Sequence, residues 1–582
     1  MGEGMKLFWN LKQKNRTGFF WLLGMVIFLT LIFWFLPRYD VFEMEDIQWV
    51  RYGLMATHDF GIAHIPFGLL MRPGFLLNLP GFILIGRSFA VLSLIYSLVA
   101  MLAGWVFYWG WFVKKGPVWI LPVSLTLGLL ISSEVFTWVF NYFNTTGIFL
   151  LYGFGFYGAC INRSKSKFFA VFLAVLAGLC ISIALMGNLA MAPGVFLMGL
   201  LLVGLYWHRW SWVYLLSLVC ISGFFLWGYL IHWGILDRLI HDSLSESSTI
   251  RIQILILINL SSVFLLNLFI FFIYQKVIKK YFSKKAQIKA FEILFWLSAL
   301  GFLIANFIFV TVQIDAHLEF GLFFSVSILM ILSTYQLVQI KTGKVPQKEW
   351  AVILVFFGIC ILNTTISRTP CIASVYIPFL LLWLIGMWHE AGLLVGWQEK
   401  LCWFGLVVFI LMEFKNLIVP SYVEGPKTGW EQSYWISQNN TYSPAWDAKM
   451  PQQDAELFSN YVRLYQQYHC DQKGLLAYDQ LVSMYGLVHR LPPYDIAWMD
   501  RGLIYPLDRH ASGEESIAYL KNQPHGWCVV YRERSGFGSR EKLVFHRDLI
   551  FNYLETQKTS VNFIGKLAVS GDQVFLLVKE KN

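Results

Sequence analysis

FFAVFLAVLAGLCISIALMGNLAMAPGVFLMGLLLVGLYW, residues 168–207, runs for forty residues without a charged side chain. As one continuous helix rising 1.5 Å per residue it would measure about 60 Å, twice the roughly 30 Å hydrocarbon core of a bilayer. Gly187-Asn188 and Pro193-Gly194 break the helical pattern where a reversal is needed. The stretch therefore reads as two membrane spans joined by a short turn.

The same logic extends over most of the 582 residues. Hydrophobic residues make up 57% of the chain and charged ones only 14%, against about 25% in ordinary soluble domains. About thirteen apolar spans are expected, near 18–37, 84–112, 117–133, 135–160, 168–187, 190–207, 211–233, 251–275, 291–312, 320–340, 350–366, 372–388 and 401–419. The 25 Trp, 27 Tyr and 51 Phe suit interfacial belts and lipid-facing packing. The first span is too long for the apolar region of a signal peptide and lacks a small-residue cleavage site, so it reads as an uncleaved anchor. The expected class is a polytopic α-helical membrane protein.

Charge placement orients it. One set of alternate loops carries Lys6, Lys12, Lys14 and Arg16; Lys114 and Lys115; Arg163, Lys165 and Lys167; Arg209; six lysines from Lys276 to Lys289; Lys341, Lys344 and Lys348; and Lys400. The opposite set holds Arg38, Arg51, Arg72, Arg238, Arg251 and Arg368, apart from the C-terminal tail. Cytoplasmic loops attract Lys and Arg, so the N-terminus belongs in the cytoplasm and everything after Pro420 outside. The net charge of +10 is thereby explained by topology, and no nucleic-acid partner is implied. Keeping this alternation requires RPGFLLNLPGF, residues 72–82, to be an interfacial or re-entrant segment broken by Pro73 and Pro80.

Residues 421–582 are more polar and form a second domain after the membrane domain of residues 1–420. GWCVVYRER, DQVFLLVKE and LVSMYGLV are expected as short buried strands, and DAELFSNYVRLYQQYH as a helix. A small extracytoplasmic α/β domain results. Its two cysteines, Cys470 and Cys528, can pair in an oxidising compartment.

Candidate chemistry concentrates in the first outer loop, residues 38–75, which opens with RYDVFEMEDIQWVRYG. Ile47, Val50 and Leu54 share one side of a helix, which suits an amphipathic segment lying in the interface. Glu43 and Asp46 are three apart and share a face, with Glu45 offset. Such carboxylates serve as a general base or as metal ligands; they also suit a solvated turn beside the membrane. The outer arginines suit phosphate recognition at headgroup depth, or the anchoring of span ends. Asp237, His241, Asp242 and Glu246, Asp315, His317 and Glu319, and His58, Asp59 and His64 are further polar loop groups, in spacings that match no metal motif. No phosphate-binding glycine loop, dinucleotide fingerprint or HExxH sequence occurs.

Acidic residues after the first span, an aromatic-rich interfacial helix, then Arg72-Pro73 and a second long span resemble the GT-C superfamily of membrane glycosyltransferases. The lipid-A aminoarabinose transferase and protein O-mannosyltransferase branches have the most similar layout. The resemblance implies that Glu45 and Asp46 stand at the catalytic acid pair, with Glu43 as an alternative register. Arg72 in MRPG would replace a phosphate-contacting Lys, while Met71 stands where an acid would be. Arg368 in SRTPCIASVYIP, and Arg251 among the outer arginines, would contact the donor phosphate; Val375 precedes Tyr376 where the pattern has Arg. It further implies a polyprenyl-phosphate sugar donor, an envelope acceptor and a place in the bacterial inner membrane. The superfamily includes members with and without a divalent metal, and no residue set here is assigned to one. Two other readings stay open: a transporter or flippase of lipid-linked glycans, and a non-catalytic scaffold presenting the C-terminal domain.

Overall fold

In the computed structural model the described residues are chiefly 73–84, 89–112, 140–187, 192–232, 247–311, 316–343, 433–435, 449–493, 509–533 and 545–580, interrupted at a few positions. The chain enters as a 3-10 turn, Pro73–Asn78, followed by α1, Leu79–Leu84. Pro73 is the first residue of the turn and Pro80 the second of α1, positions where a missing N–H costs no helical hydrogen bond. The bundle continues with α2 (Phe89–Trp111), α3 (Tyr142–Arg163), α4 (Lys167–Gly187), α5 (Ala192–Leu205) and α6 (Ser211–Leu226), which runs on as a π-helix over Trp227–His232. Three long helices follow: α7 (Ser247–Tyr281), α8 (Lys284–Thr311) and α9 (Ala316–Thr342).

Among the described residues, Lys167–Gly187, Ser211–Ile231 and Ser261–Tyr281 are long and apolar enough to cross a membrane, and Leu98–Trp111 and Ala192–Leu205 are shorter apolar helices. Small residues line part of the close helix contacts within the bundle. On α4 the buried face is small (Ala170, Ala174, Ala177, Gly178), whereas Phe168 is 83% exposed. Small residues let helices approach closely, as expected where water supplies no hydrophobic driving force, while large rings such as Tyr96, Tyr157 and Tyr214 are buried elsewhere in the bundle. Backbones touch where α2 crosses α3. A Cβ on Gly110 would lie 2.1 Å from the Gly155 carbonyl oxygen, and one on Gly155 would lie 2.7 Å from Val106 and Phe107 backbone atoms. Serines pin other pairs: Ser182 and Ser222 join α4 to α6 at 2.8 Å, and Asn267 donates to Ser325 at 3.1 Å between α7 and α9.

Residues 433–579 form the α/β unit. β1 (Ser433–Trp435) pairs antiparallel with β2 (Lys449–Pro451). The main sheet contains β3 (Gly474–Tyr478), β4 (Trp527–Glu533), β5 (Ser560–Lys566) and β6 (Gln573–Lys579) in the order β3-β4-β6-β5. Only β3 and β4 run parallel. One face is covered by α10 (Gln452–Gln467) and α11 (Ser483–Leu487), through Leu457, Phe458, Tyr461, Met484 and Tyr485. The other is covered by α12 (Arg509–Lys521) and α13 (Phe545–Thr556), through Leu520, Ile550 and Leu554.

Expected strands 526–534 and 572–580 are β4 and β6, and expected helix 454–469 is α10. LVSMYGLV is corrected: it forms the short helix α11, with Met484, Tyr485, Leu487 and Val488 all buried. A short, mostly apolar run carries no period that separates a buried strand from a buried helical turn. Cys470 and Cys528 are bonded, Cα to Cα 5.9 Å, fastening the turn after α10 to β4.

Candidate functional site

The sequence-derived site falls almost wholly outside the described residues. Glu43, Glu45, Asp46, Arg72 and Arg368 all lie there. Arg251 is in the first turns of α7, and its side chain is outside the description. The next described element begins at Pro73, the residue after Arg72.

A seam runs between one end of the bundle and the α/β unit. Phe75 of the 3-10 turn and Tyr229 beyond α6 are buried in the same apolar cluster as Leu457, Phe458 and Tyr461 of α10. Leu76, Leu79, Met186 at the end of α4, and Leu230 pack against it. The turn is held from the bundle side by Asn78, which is 2% exposed. Its Nδ2 donates to the carbonyls of Phe75 (3.0 Å) and Phe140 (2.6 Å), and its Oδ1 accepts the Phe140 N–H at 2.9 Å. Both amide protons and the carbonyl are used, so a buried polar side chain is placed without cost. The Phe140 ring packs edge-on against Tyr96 of α2 at 5.1 Å, and Thr146 donates to the Ala184 carbonyl, closing α3 onto α4.

The opposite end of the bundle carries the cations. Tyr157 near the end of α3 meets Ser211 at the start of α6 (2.8 Å) and donates to the Tyr206 carbonyl. Asn162 donates to the Gly110 carbonyl of α2. These contacts gather Arg163, Lys167 and Arg209 at one end of α3, α4 and α6, while the α/β unit occupies the other. Lys341 likewise pairs with Glu292 at 2.9 Å, joining the end of α9 to the beginning of α8.

Within the α/β unit the edge strand β3 is closed by phenols. Leu475 N–H donates to Tyr519 Oη at 3.2 Å and Ala477 N–H to Tyr485 Oη at 2.8 Å. Burial raises the Tyr519 pKa, opposed by the Leu475 hydrogen bond, and burial drives Tyr461 well above the usual phenol value. Arg532 pairs with Asp572 at 2.7 Å, both buried. No group of three or more His, Cys, Asp or Glu side chains able to hold a metal occurs among the described residues.

Sequence reasoning did not single out Phe75, Asn78 or Tyr229. The available signal was Asn78 itself, the one amide in the apolar run 73–84.

These features define a helical bundle, with helices long and apolar enough to cross a membrane, and an α/β unit packed at the end opposite Arg163, Lys167 and Arg209. No protein-family profile and no curated protein matches the sequence. Two solved structures match along nearly its whole length, both of ArnT from Cupriavidus metallidurans. The apo form is 12% identical, covers 96% of this chain and 97% of its own, and gives a TM-score of 0.39. The form bound to undecaprenyl phosphate is also 12% identical, covers 96% and 98%, and gives 0.38.

Proposed function

We propose that this protein is a GT-C type glycosyltransferase that moves a sugar from a polyprenyl-phosphate donor to an envelope acceptor at the outer face of the bacterial inner membrane. The observation that carries the reading is the seam: the chain passes from Arg72 directly into the turn buried between bundle and α/β unit. That end lies away from Arg163, Lys167 and Arg209, which favours an extracytoplasmic position for it. The Cys470–Cys528 bond agrees with an oxidising compartment. On this reading residues 1–420 form the membrane domain and 421–582 the outer domain, with the N-terminus cytoplasmic.

In the proposed reaction Asp46 or Glu45 takes the proton of the acceptor, with Glu43 as the alternative base. The acceptor atom bonds to the anomeric carbon as the bond from that carbon to the phosphate oxygen breaks, with inversion. The departing phosphate carries its charge away, neutralised by Arg72, Arg251 and Arg368. Loss of a positioned base costs about 100-fold or more. Asp46→Asn and Glu45→Gln are therefore expected to abolish transfer, read by mass analysis of envelope glycans and lipids in cells lacking the native gene, with expression unchanged. Full transfer by the double variant removes the loop from the mechanism.

A further inference from the structure

We propose that Asn78 is a positioning residue for recognition of the lipid phosphate, although it need touch no ligand; this rests on the function proposed above. The turn Pro73–Asn78 is a wedge with two attachments. Phe75 is fully buried in the apolar cluster of α10 and Tyr229, so the α/β unit holds one side. Asn78, three residues on, is tied to the backbone of Phe140 just ahead of α3, so the bundle holds the other. Asn78 satisfies both Phe140 backbone groups as a neighbouring strand would, and its second amide proton closes the turn on the Phe75 carbonyl. Removing that amide takes away the two bonds to the buried Phe140 backbone and the side-chain closure on the Phe75 carbonyl. The seam then loosens at the point where the first outer loop ends.

The chemistry of the amide supplies a selective test. Aspartate at 78 still accepts from the Phe140 N–H but turns a charged oxygen toward two carbonyl oxygens, which repel it. Protonated, the same carboxyl donates to one of them and restores most of the tie. Its folded pKa is thus raised, and the variant recovers as pH falls.

The full chain in lipid nanodiscs is titrated with undecaprenyl phosphate at pH 7 and pH 5, and digested with chymotrypsin to follow cleavage within residues 73–84. For Asn78→Leu, affinity is expected to fall about tenfold and cleavage to quicken about tenfold, the shift that loss of buried hydrogen bonds carries. Asn78→Asp is expected to match it at pH 7 and to return to within about twofold of wild type at pH 5. Should Asn78→Leu fail to fold, the pH step of Asn78→Asp decides alone. Faster cleavage with wild-type affinity overturns the inference, as does an Asn78→Asp protein with no pH step. A wild-type protein that does not bind undecaprenyl phosphate overturns the functional reading instead.

Discussion

Single atoms set the closeness of this bundle. Gly110 and Gly155 allow α2 and α3 to touch backbone to backbone, and the space a methyl would need is already filled by the Gly155 carbonyl 2.1 Å away. Backbone does not move aside as a side chain does. Gly110→Ala is expected to cost about 1–3 kcal/mol, the usual range for overpacking. It should lower the thermal midpoint in detergent by several degrees. Gly204 in α5 provides the control, since nothing lies within 4 Å of its Cβ position. Gly204→Ala should be neutral or stabilising by up to about 1 kcal/mol, because alanine has less freedom to lose. Equal losses at both positions would show that helix approach is not what Gly110 provides. The phenols of Tyr485 and Tyr519 work at the same scale. Each fills the outward N–H of an edge strand, so Tyr485→Phe should leave Ala477 N–H buried without a partner and cost about 1–3 kcal/mol. Hydrogen exchange at β3 would report it.

At the scale of elements, the α/β unit shows how a sheet is kept from recruiting a neighbour. β3 has its outward N–H groups capped by Tyr519 and Tyr485. β5, the other edge, carries a bulge between Phe563 and Gly565, and Asn460 of α10 donates to the Ile564 carbonyl. Caps and bulges of this kind blunt edges against unwanted pairing. The disulfide ties α10 to this sheet across 58 residues, and closing a loop of that length removes about 4 kcal/mol of unfolded-state entropy. Cys470→Ser with Cys528→Ser should therefore raise exchange in β4 and β6 markedly, and unchanged protection would show that apolar packing alone holds the unit. Elements of this kind were legible in the sequence when one signal dominated. The 168–207 run split into α4 and α5 because length and glycine-proline breaks left no other solution. α10 showed its period, with Leu457, Phe458, Tyr461 and Leu464 on one face. LVSMYGLV misled because every position but one or two is apolar. The seam was illegible for another reason. Phe75, Phe140, Tyr229 and Tyr461 meet only through tertiary folding, and nothing local announces a partner hundreds of residues away.

Over the whole molecule, two independent facts bear on which way the chain faces. Cations gather at one end of α3, α4 and α6, and the α/β unit packs at the other. Electrostatics of insertion keeps lysine and arginine in the cytoplasm, and disulfides persist outside it. Both favour the proposed placement of the unit on the outer side, and neither depends on the other. The arrangement is testable with His525 and Arg209, both exposed, one in the α/β unit and one in the turn between α5 and α6. His525→Cys is expected to react with a membrane-impermeant maleimide in intact spheroplasts, and Arg209→Cys only after the membrane is opened. Cys160 and Cys180 are buried and Cys220 lies on the apolar helix α6; Cys360, Cys371 and Cys402, outside the described residues, are first replaced by serine so that background labelling stays low. Cys470 and Cys528 become reactive only after reduction. Labelling of Arg209→Cys in intact cells would reverse the orientation. It would also place the seam, the first outer loop and its carboxylates on the cytoplasmic side, where the proposed transfer to an envelope acceptor has no substrate to act on.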